Sequence, residues 1–237
     1  MTSVTLQLID GGAAAAARRK DAASGSRVLR RESVTLFRTT YDLLKRIFDL
    51  SVCLFLLPFS LLVMGVCAAL IWITDGRPLF FVQERTGRAG RRFRLYKFRT
   101  MVRNAHELKE QLAELNQLSG PDFKIEDDPR ITPLGRVMRK TSLDELPQLF
   151  NVLKGDMSLV GPRPTSFEAS TYDLWHTERL EVLPGITGLW QVGGRSDVDF
   201  DDRVRLDIQY VEKRSLLFDT WILVRTVVVL FSQRGAY

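Results

Sequence analysis

The stretch LSVCLFLLPFSLLVMGVCAALIWIT, Leu50 to Thr74, holds no charged side chain in 25 residues. About 20 apolar residues are enough for a helix to cross a bilayer. Pro58 stands inside the run, where it removes a helix hydrogen bond and favours a bend. Both flanks are basic: Arg38, Lys45 and Arg46 precede the run, and Arg77, Arg85, Arg88, Arg91, Arg92 and Arg94 follow it. Positive flanks favour the cytoplasmic side of a membrane. A single span satisfies hydropathy but puts one basic flank on the far side. A re-entrant helix that enters, bends at Pro58 and returns keeps both flanks on the near side.

Charge is distributed to match. The net +6 is made of +5 in residues 1–46 and +8 in residues 76–103, with −7 elsewhere. Basic zones on either side of an apolar run suit lipid head groups and phosphate substrates. A nucleic-acid binder would use the same charge, but no nucleic-acid motif accompanies it. Cys53 and Cys67 both lie inside the apolar run, without a CxxC or a neighbouring histidine. They read as small hydrophobes and not as a metal or disulfide pair. His106 and His176 have no ligand-like partner at i+3 or i+4 and read as surface residues.

The remaining segments follow from local signals. Residues 1–34 lack apolar periodicity and read as a disordered basic segment. Leu79–Val82 and Phe93–Phe98 read as a β-hairpin around a Gly-rich basic loop. Asn104–Leu118 reads as an amphipathic surface helix ending at Ser119-Gly120-Pro121. A helix ends near Lys154-Gly155, and another runs from Asp199 to about Lys213. Val160-Gly161-Pro162-Arg163-Pro164 and Pro184 to Arg195 read as rigid loops that each display an arginine. Leu216–Phe231 is apolar but interrupted by Asp219 and Arg225, which favours an interfacial amphipathic helix. The expected organisation is therefore residues 1–34 as a disordered head, 35–75 as the membrane-associated helix, 76–215 as a catalytic domain and 216–237 as the interfacial helix.

Thr141-Ser142-Leu143-Asp144-Glu145-Leu146-Pro147-Gln148-Leu149 puts two adjacent carboxylates after Arg136, Arg139 and Lys140. Ser142 and Glu145 have capping-box spacing, and Pro147 suits a first helical turn. On this nonamer alone the plain reading is a capped helix. The wider pattern adds chemistry. Arginines fixed beside proline and glycine make bidentate phosphate contacts. Carboxylates among them can hold Mg²⁺ bridged to phosphate oxygens, or attack phosphorus directly. Walker A, GxGxxG and HExxH patterns are absent.

Several of these segments together resemble the bacterial sugar transferases, the monotopic polyprenyl-phosphate phosphoglycosyl transferases. They are Lys45-Arg46-Ile47-Phe48-Asp49, Phe81 to Gly87, Tyr96-Lys97-Phe98-Arg99-Thr100-Met101, Thr141 to Gln148, Asn151 to Ser158, Val160 to Pro164 and Pro184 to Gly188. The resemblance covers residues 41–233 and points to the short, exopolysaccharide-initiating type, without the four extra N-terminal membrane helices of larger members. It implies an α+β, mainly helical monotopic membrane enzyme with a re-entrant, Pro-broken helix, a small β-hairpin and interfacial amphipathic helices. It implies transfer of a sugar-1-phosphate from a UDP-sugar, a hexose such as glucose or galactose, to undecaprenyl phosphate. UMP would be released and an aspartyl-phosphosugar intermediate formed.

Residue by residue, the resemblance implies Asp144 as nucleophile and Glu145 as partner and Mg²⁺ ligand. Arg139, Arg163, Lys97, Arg99 and Arg195 would meet substrate phosphate or nucleotide. Lys45, Arg46, Asp49 and Pro58 would anchor the membrane helix. Lys97 and Asp207 would form a site-bordering ion pair, with Asp128 and Arg130 fixing a loop. Expected partners are the bilayer, undecaprenyl phosphate and the UDP-sugar, then a second copy of the chain and downstream glycosyltransferases, with no nucleic acid. The expected location is the bacterial inner membrane, catalytic domain on the cytoplasmic face. The competing reading is a non-catalytic membrane scaffold of a polysaccharide assembly complex, which would not require the carboxylate pair.

Overall fold

A computed structural model describes residues 40–116, 125, 127–193 and 199–232. The expected disordered head, the Ser119-Gly120-Pro121 turn and Arg195 lie outside these residues. The chain falls into two units, Met1–Lys45 and Arg46–Tyr237. Of the first unit only the opening turns of a helix are described.

That helix, α1, runs Thr40–Thr74 and is the one described helix long and apolar enough to cross a membrane. It continues through Pro58. The helix break expected at Pro58 is not formed: a proline deletes one hydrogen bond and leaves the neighbouring turns bonded. From Arg46 onward one stripe of α1 is buried, comprising Asp49, Cys53, Ser60, Met64, Cys67 and Ile71. Gaps of three, four and seven residues keep these on one face. The stripe includes both cysteines, which are free thiols. The other faces carry exposed Phe55, Phe59, Leu62, Trp72 and Ile73, and only 22% of the most apolar window is buried.

Strands β1 (Phe80–Thr86) and β2 (Arg92–Phe98) form an antiparallel hairpin with Phe81 opposite Lys97. The strands extend further towards the turn than the apolar runs suggested. Polar partners hold the extra residues: Thr86 N–H donates to the Thr165 carbonyl at 2.9 Å, and Arg92 Nη1 donates to the Thr86 hydroxyl at 2.8 Å. Helix α2 (Ala105–Gln111) is shorter than the Asn104–Leu118 expectation, followed by a 3₁₀ turn, Ala113–Leu115. Helix α3 (Pro133–Lys140) starts with Thr132, whose hydroxyl accepts from Gly135 N–H at 3.0 Å. Helix α4 (Gln148–Lys154) ends on left-handed Gly155, as its sequence predicts.

Beyond α4 come β3 (Ser158–Val160), an eight-residue 3₁₀ helix (Leu174–Glu181), β4 (Gly185–Thr187), α5 (Leu189–Val192), α6 (Phe200–Lys213) and α7 (Leu216–Ser232). β3 and β4 pair in parallel, Ser158 opposite Gly185 and Val160 opposite Thr187. The sequence reads these two segments as separate loops; in the fold they are one ladder. Gly161 is required where they meet, since a Cβ there would lie 2.5 Å from the Leu183 carbonyl oxygen.

Two apolar clusters hold the second unit together. One joins Cys53 of α1 to Phe93, Leu95, Leu149, Val152, Met157, Tyr210 and Ile222. The other joins Met64, Cys67 and Ile71 to Phe98 and Met138. Between them they tie residues 53–71 of α1 to the hairpin and to the helices on either side of Asp144. Polar contacts fix the same docking. Arg46 donates to the Val152 and Leu153 carbonyls at 2.6 and 3.0 Å, capping α4. Ser158 donates to Asp49 Oδ2 at 2.7 Å. On α7, buried Asp219 accepts from the Tyr210 hydroxyl at 2.7 Å, while Leu217, Trp221, Val224, Val227, Val228 and Phe231 are exposed. A helix stands where the sequence placed one, and its exposed face is apolar.

Candidate active site

Asp144 and Glu145 lie in a 3₁₀ turn, Leu143–Glu145, between α3 and α4. The expected capping box is not formed. Ser142 has φ 55° and ψ 18°, in the left-handed region, and its side chain caps nothing. Helix α4 begins only after Pro147. Glu145 is drawn away from the backbone by two cations, which bind a carboxylate more strongly than a neutral N–H does. A left-handed serine costs about 1–2 kcal/mol, and here it turns the chain so that Asp144 faces inward.

Lys97, on β2, places Nζ 2.6 Å from Glu145 Oε1 and 3.8 Å from Asp144 Oδ2. Arg163, in the loop after β3, places Nη2 2.5 Å from Glu145 Oε1 and Nη1 3.3 Å from Oε2. Glu145 is therefore held by two charges. Asp144 is 7% exposed and, among the described residues, makes no hydrogen bond through its carboxylate. Arg139, on α3, donates from Nε to the Thr100 hydroxyl at 2.9 Å. Gly135 lets α3 approach the segment after β2 closely: a Cβ there would sit 2.2 Å from the Thr100 carbonyl oxygen.

The two carboxylates are set apart electrostatically. Burial pushes the Asp144 carboxyl up, Lys97 pulls against this, and Glu145 adds to it. Burial would also raise Glu145, but Arg163 and Lys97 outweigh it and hold that carboxyl well below the usual range. Burial lowers Lys97, against the pull of Glu145, and lowers Arg139. Glu145 raises Arg163. The result is one permanently ionised carboxylate fixed by cations, beside a second that carries an exposed edge and free lone pairs. Such a pair can supply a carboxylate nucleophile next to an electrostatic anchor for phosphate.

The other expected residues sort clearly. The Lys97–Asp207 pair does not form: Lys97 serves the dyad, and Asp207 Oδ2 lies 2.6 Å from Arg179 Nη2. Asp207 is buried on α6, where an anionic oxygen requires a cation on its own side of the core. The Arg99 guanidinium donates to the carbonyls of Asp75, Gly76 and Arg77 at 2.8, 2.8 and 3.2 Å, so it closes the end of α1 and is not directed at a ligand. Asp128 and Arg130 form the expected buried loop-fixing pair, bidentate at 2.9 and 2.6 Å. Arg46 and Asp49 anchor α1 to α4 and β3 as described. Sequence reasoning missed Arg179, a buried arginine that also donates to the Arg163 carbonyl at 2.6 Å. Its signal was an arginine inside the half-apolar segment Leu174–Val182, which reads equally as a solvated helix face.

Among the described residues no three of His, Cys, Asp and Glu converge. A divalent ion at the dyad would thus rest on at most two carboxylates and complete its shell from water and phosphate, the usual habit of Mg²⁺. The donor set fits this: Glu145 Oε2 has only the 3.3 Å contact with Arg163, so it can take a cation without losing Lys97.

A family model described as "Bacterial sugar transferase" matches residues 40–233. The chain is 44% identical over 209 residues to "Galactosyl transferase CpsE" of Streptococcus agalactiae, covering 86% of this chain and 46% of that protein. It is 46% identical over 205 residues to "Undecaprenyl-phosphate galactose phosphotransferase" of Salmonella typhimurium, covering 82% and 42%. It is 41% identical over 202 residues to "Exopolysaccharide production protein ExoY" of Sinorhizobium fredii, covering 81% and 88%. The match thus spans less than half of the first two relatives and most of the third.

Proposed function

The chain belongs to the bacterial sugar transferase family, and from that premise we propose that it transfers a sugar-1-phosphate from a UDP-sugar to undecaprenyl phosphate, the initiating step of exopolysaccharide synthesis. The observation that carries the reading is the dyad: a buried Asp144 with free lone pairs beside a Glu145 locked by Lys97 and Arg163. UDP-galactose is the first donor to test, because two of the relatives above are named for galactose.

In the first half-reaction an Asp144 carboxylate oxygen attacks the β-phosphorus of the UDP-sugar. The bond from that phosphorus to the bridging oxygen breaks, and UMP leaves with the oxygen. The sugar phosphate stays on Asp144 as an acyl phosphate. In the second half, a phosphate oxygen of undecaprenyl phosphate attacks the same phosphorus and the Asp144 oxygen leaves, restoring the carboxylate. Lys97, Arg163 and Arg139 supply positive charge for the diphosphate and for charge that develops on the phosphoryl oxygens. Glu145 keeps Lys97 and Arg163 oriented. Mg²⁺, held by Glu145, would neutralise phosphate charge in the ground and transition states.

The membrane reading follows the same premise. The buried stripe of α1 packs on the catalytic part from Asp49 to Ile71, and its remaining faces are apolar and exposed. The docked face holds α1 against the domain over this length, which favours a helix that stays with the domain at one side of the bilayer over one that crosses alone. This supports a re-entrant α1 at the cytoplasmic face of the inner membrane, with α7 at the interface. A UMP-release panel with UDP-sugars, Mg²⁺ and undecaprenyl phosphate tests the activity. UMP as product supports it; UDP as product would make the enzyme an ordinary glycosyltransferase.

A further inference from the structure

We propose that Arg179 and Asp207 form a buried strut that positions Arg163, and that Arg179 and Asp207 are positioning residues for the first half-reaction. The inference rests on the transfer reading above.

Arg163 lies between Pro162 and Pro164. Pro164 has no N–H, so the Arg163–Pro164 peptide has a single hydrogen-bonding group, the Arg163 carbonyl. Pro164 also confines Arg163 to extended backbone. The strand before the loop is fixed where Gly161 N–H donates to the Thr187 carbonyl at 2.9 Å, and the segment after it where Thr86 N–H donates to the Thr165 carbonyl at 2.9 Å. What remains to be set is the peptide plane at Arg163 itself. Arg179 Nη2 sets it, donating to that carbonyl at 2.6 Å. The same nitrogen lies 2.6 Å from Asp207 Oδ2.

The placement of this pair is costly. Arg179 is 5% exposed and Asp207 1%. Burying two ions costs several kcal/mol each, and well-packed apolar residues of similar volume often hold a core as well or better. A stability role is therefore a weak explanation. A geometric one is strong, because the carbonyl held by Arg179 belongs to the residue whose guanidinium grips Glu145 at 2.5 Å. Asp207 fixes Arg179, Arg179 fixes the Arg163 peptide, and Arg163 fixes Glu145. Arg179 also packs its guanidinium 6.0 Å from the Phe200 ring centroid on α6, so the strut is braced from the same helix that carries Asp207.

A double-mutant cycle in kcat/KM for UMP release from UDP-galactose tests this, on the full chain in membranes. Its members are the wild type, Arg163→Ala, Arg179→Met and the double variant. Arg179→Met should lose roughly 10-fold, within the coupling range of residues sharing a network. In the Arg163→Ala background the same change should cost less than about two-fold, since the strut then has nothing to position. Arg179→Lys, which keeps a charged donor, should recover part of the loss. Additive losses, or wild-type kcat/KM in Arg179→Met, would overturn the proposal. Should Arg179→Met fail to fold, Asp207→Asn, of equal volume, takes its place in the cycle. A wild type that releases no UMP from UDP-galactose is taken through the other UDP-sugars; release from none of them would refute the transfer reaction and not the strut, and UDP binding by thermal shift in the same proteins then carries the cycle, with the same non-additivity expected.

Discussion

Asp144 and Glu145 are adjacent in the chain and opposite in character. A 3₁₀ turn rotates one residue from the next by about 120°, so each meets different neighbours, with Lys97 reaching both. Sequence reading could pair them as acids near a phosphate, but could not tell which is anchored, because that depends on a lysine 47 positions and an arginine 19 positions from Asp144. The geometry makes two predictions. Asp144→Asn should reduce UMP release by at least about 10³-fold, as loss of a covalent nucleophile does; full turnover in that variant would remove Asp144 from the role. Asp144 must be ionised to attack, and burial raises its pKa. Activity should therefore fall as pH drops through a value above the ordinary aspartate range of about 3.9. Lys97 is the charge that pulls this pKa down, so Lys97→Met should move the acid limb of the residual kcat/KM profile to higher pH. A limb that stays fixed or moves to lower pH would contradict the assignment.

At the scale of elements, strong periodic or punctuated signals survived and short-range ambiguity did not. The Lys154-Gly155 stop, the hairpin and the helix before Lys213 were legible because each rests on local chemistry. β3 and β4 were not, because three-residue strands have no period to read and their pairing joins segments 27 residues apart. The capping box at Ser142–Glu145 failed because tertiary charge pairs overrode a local hydrogen bond. Packing of α3 on the segment after β2 sets Arg139 and Thr100, and it depends on a glycine. Gly135→Ala would drive a Cβ to within 2.2 Å of the Thr100 carbonyl oxygen. The expected result is a loss of about 1–3 kcal/mol, typical of overpacking, seen as a lower melting midpoint. An unchanged midpoint would show that α3 can move off the Thr100 segment.

For the molecule as a whole, the notable feature is that its apolar helices each bury one face in its own core. α1 and α7 each carry one buried carboxylate, Asp49 and Asp219, directed at the catalytic part, while their outer faces are exposed phenylalanine, tryptophan and leucine. The apolar helices and the candidate active site are thus packed together, which suits the proposed reaction between a soluble nucleotide-sugar and a lipid phosphate. If α1 is re-entrant, cysteines introduced at Ser24 and at Ala89 should both be protected from an impermeant thiol reagent applied to the periplasmic side of intact spheroplasts, in a background with Cys53 and Cys67 replaced by alanine. Labelling of either site from that side would establish a span. A sugar phosphate carried on Asp144 would be seen by intact-protein and peptide mass spectrometry after incubation with UDP-galactose in the absence of undecaprenyl phosphate. One hexose phosphate is expected on the peptide containing Asp144, formed with an equal amount of UMP, discharged on adding undecaprenyl phosphate and absent from Asp144→Asn. UMP release that requires the lipid acceptor and leaves no adduct, or an adduct that persists in Asp144→Asn, would contradict it.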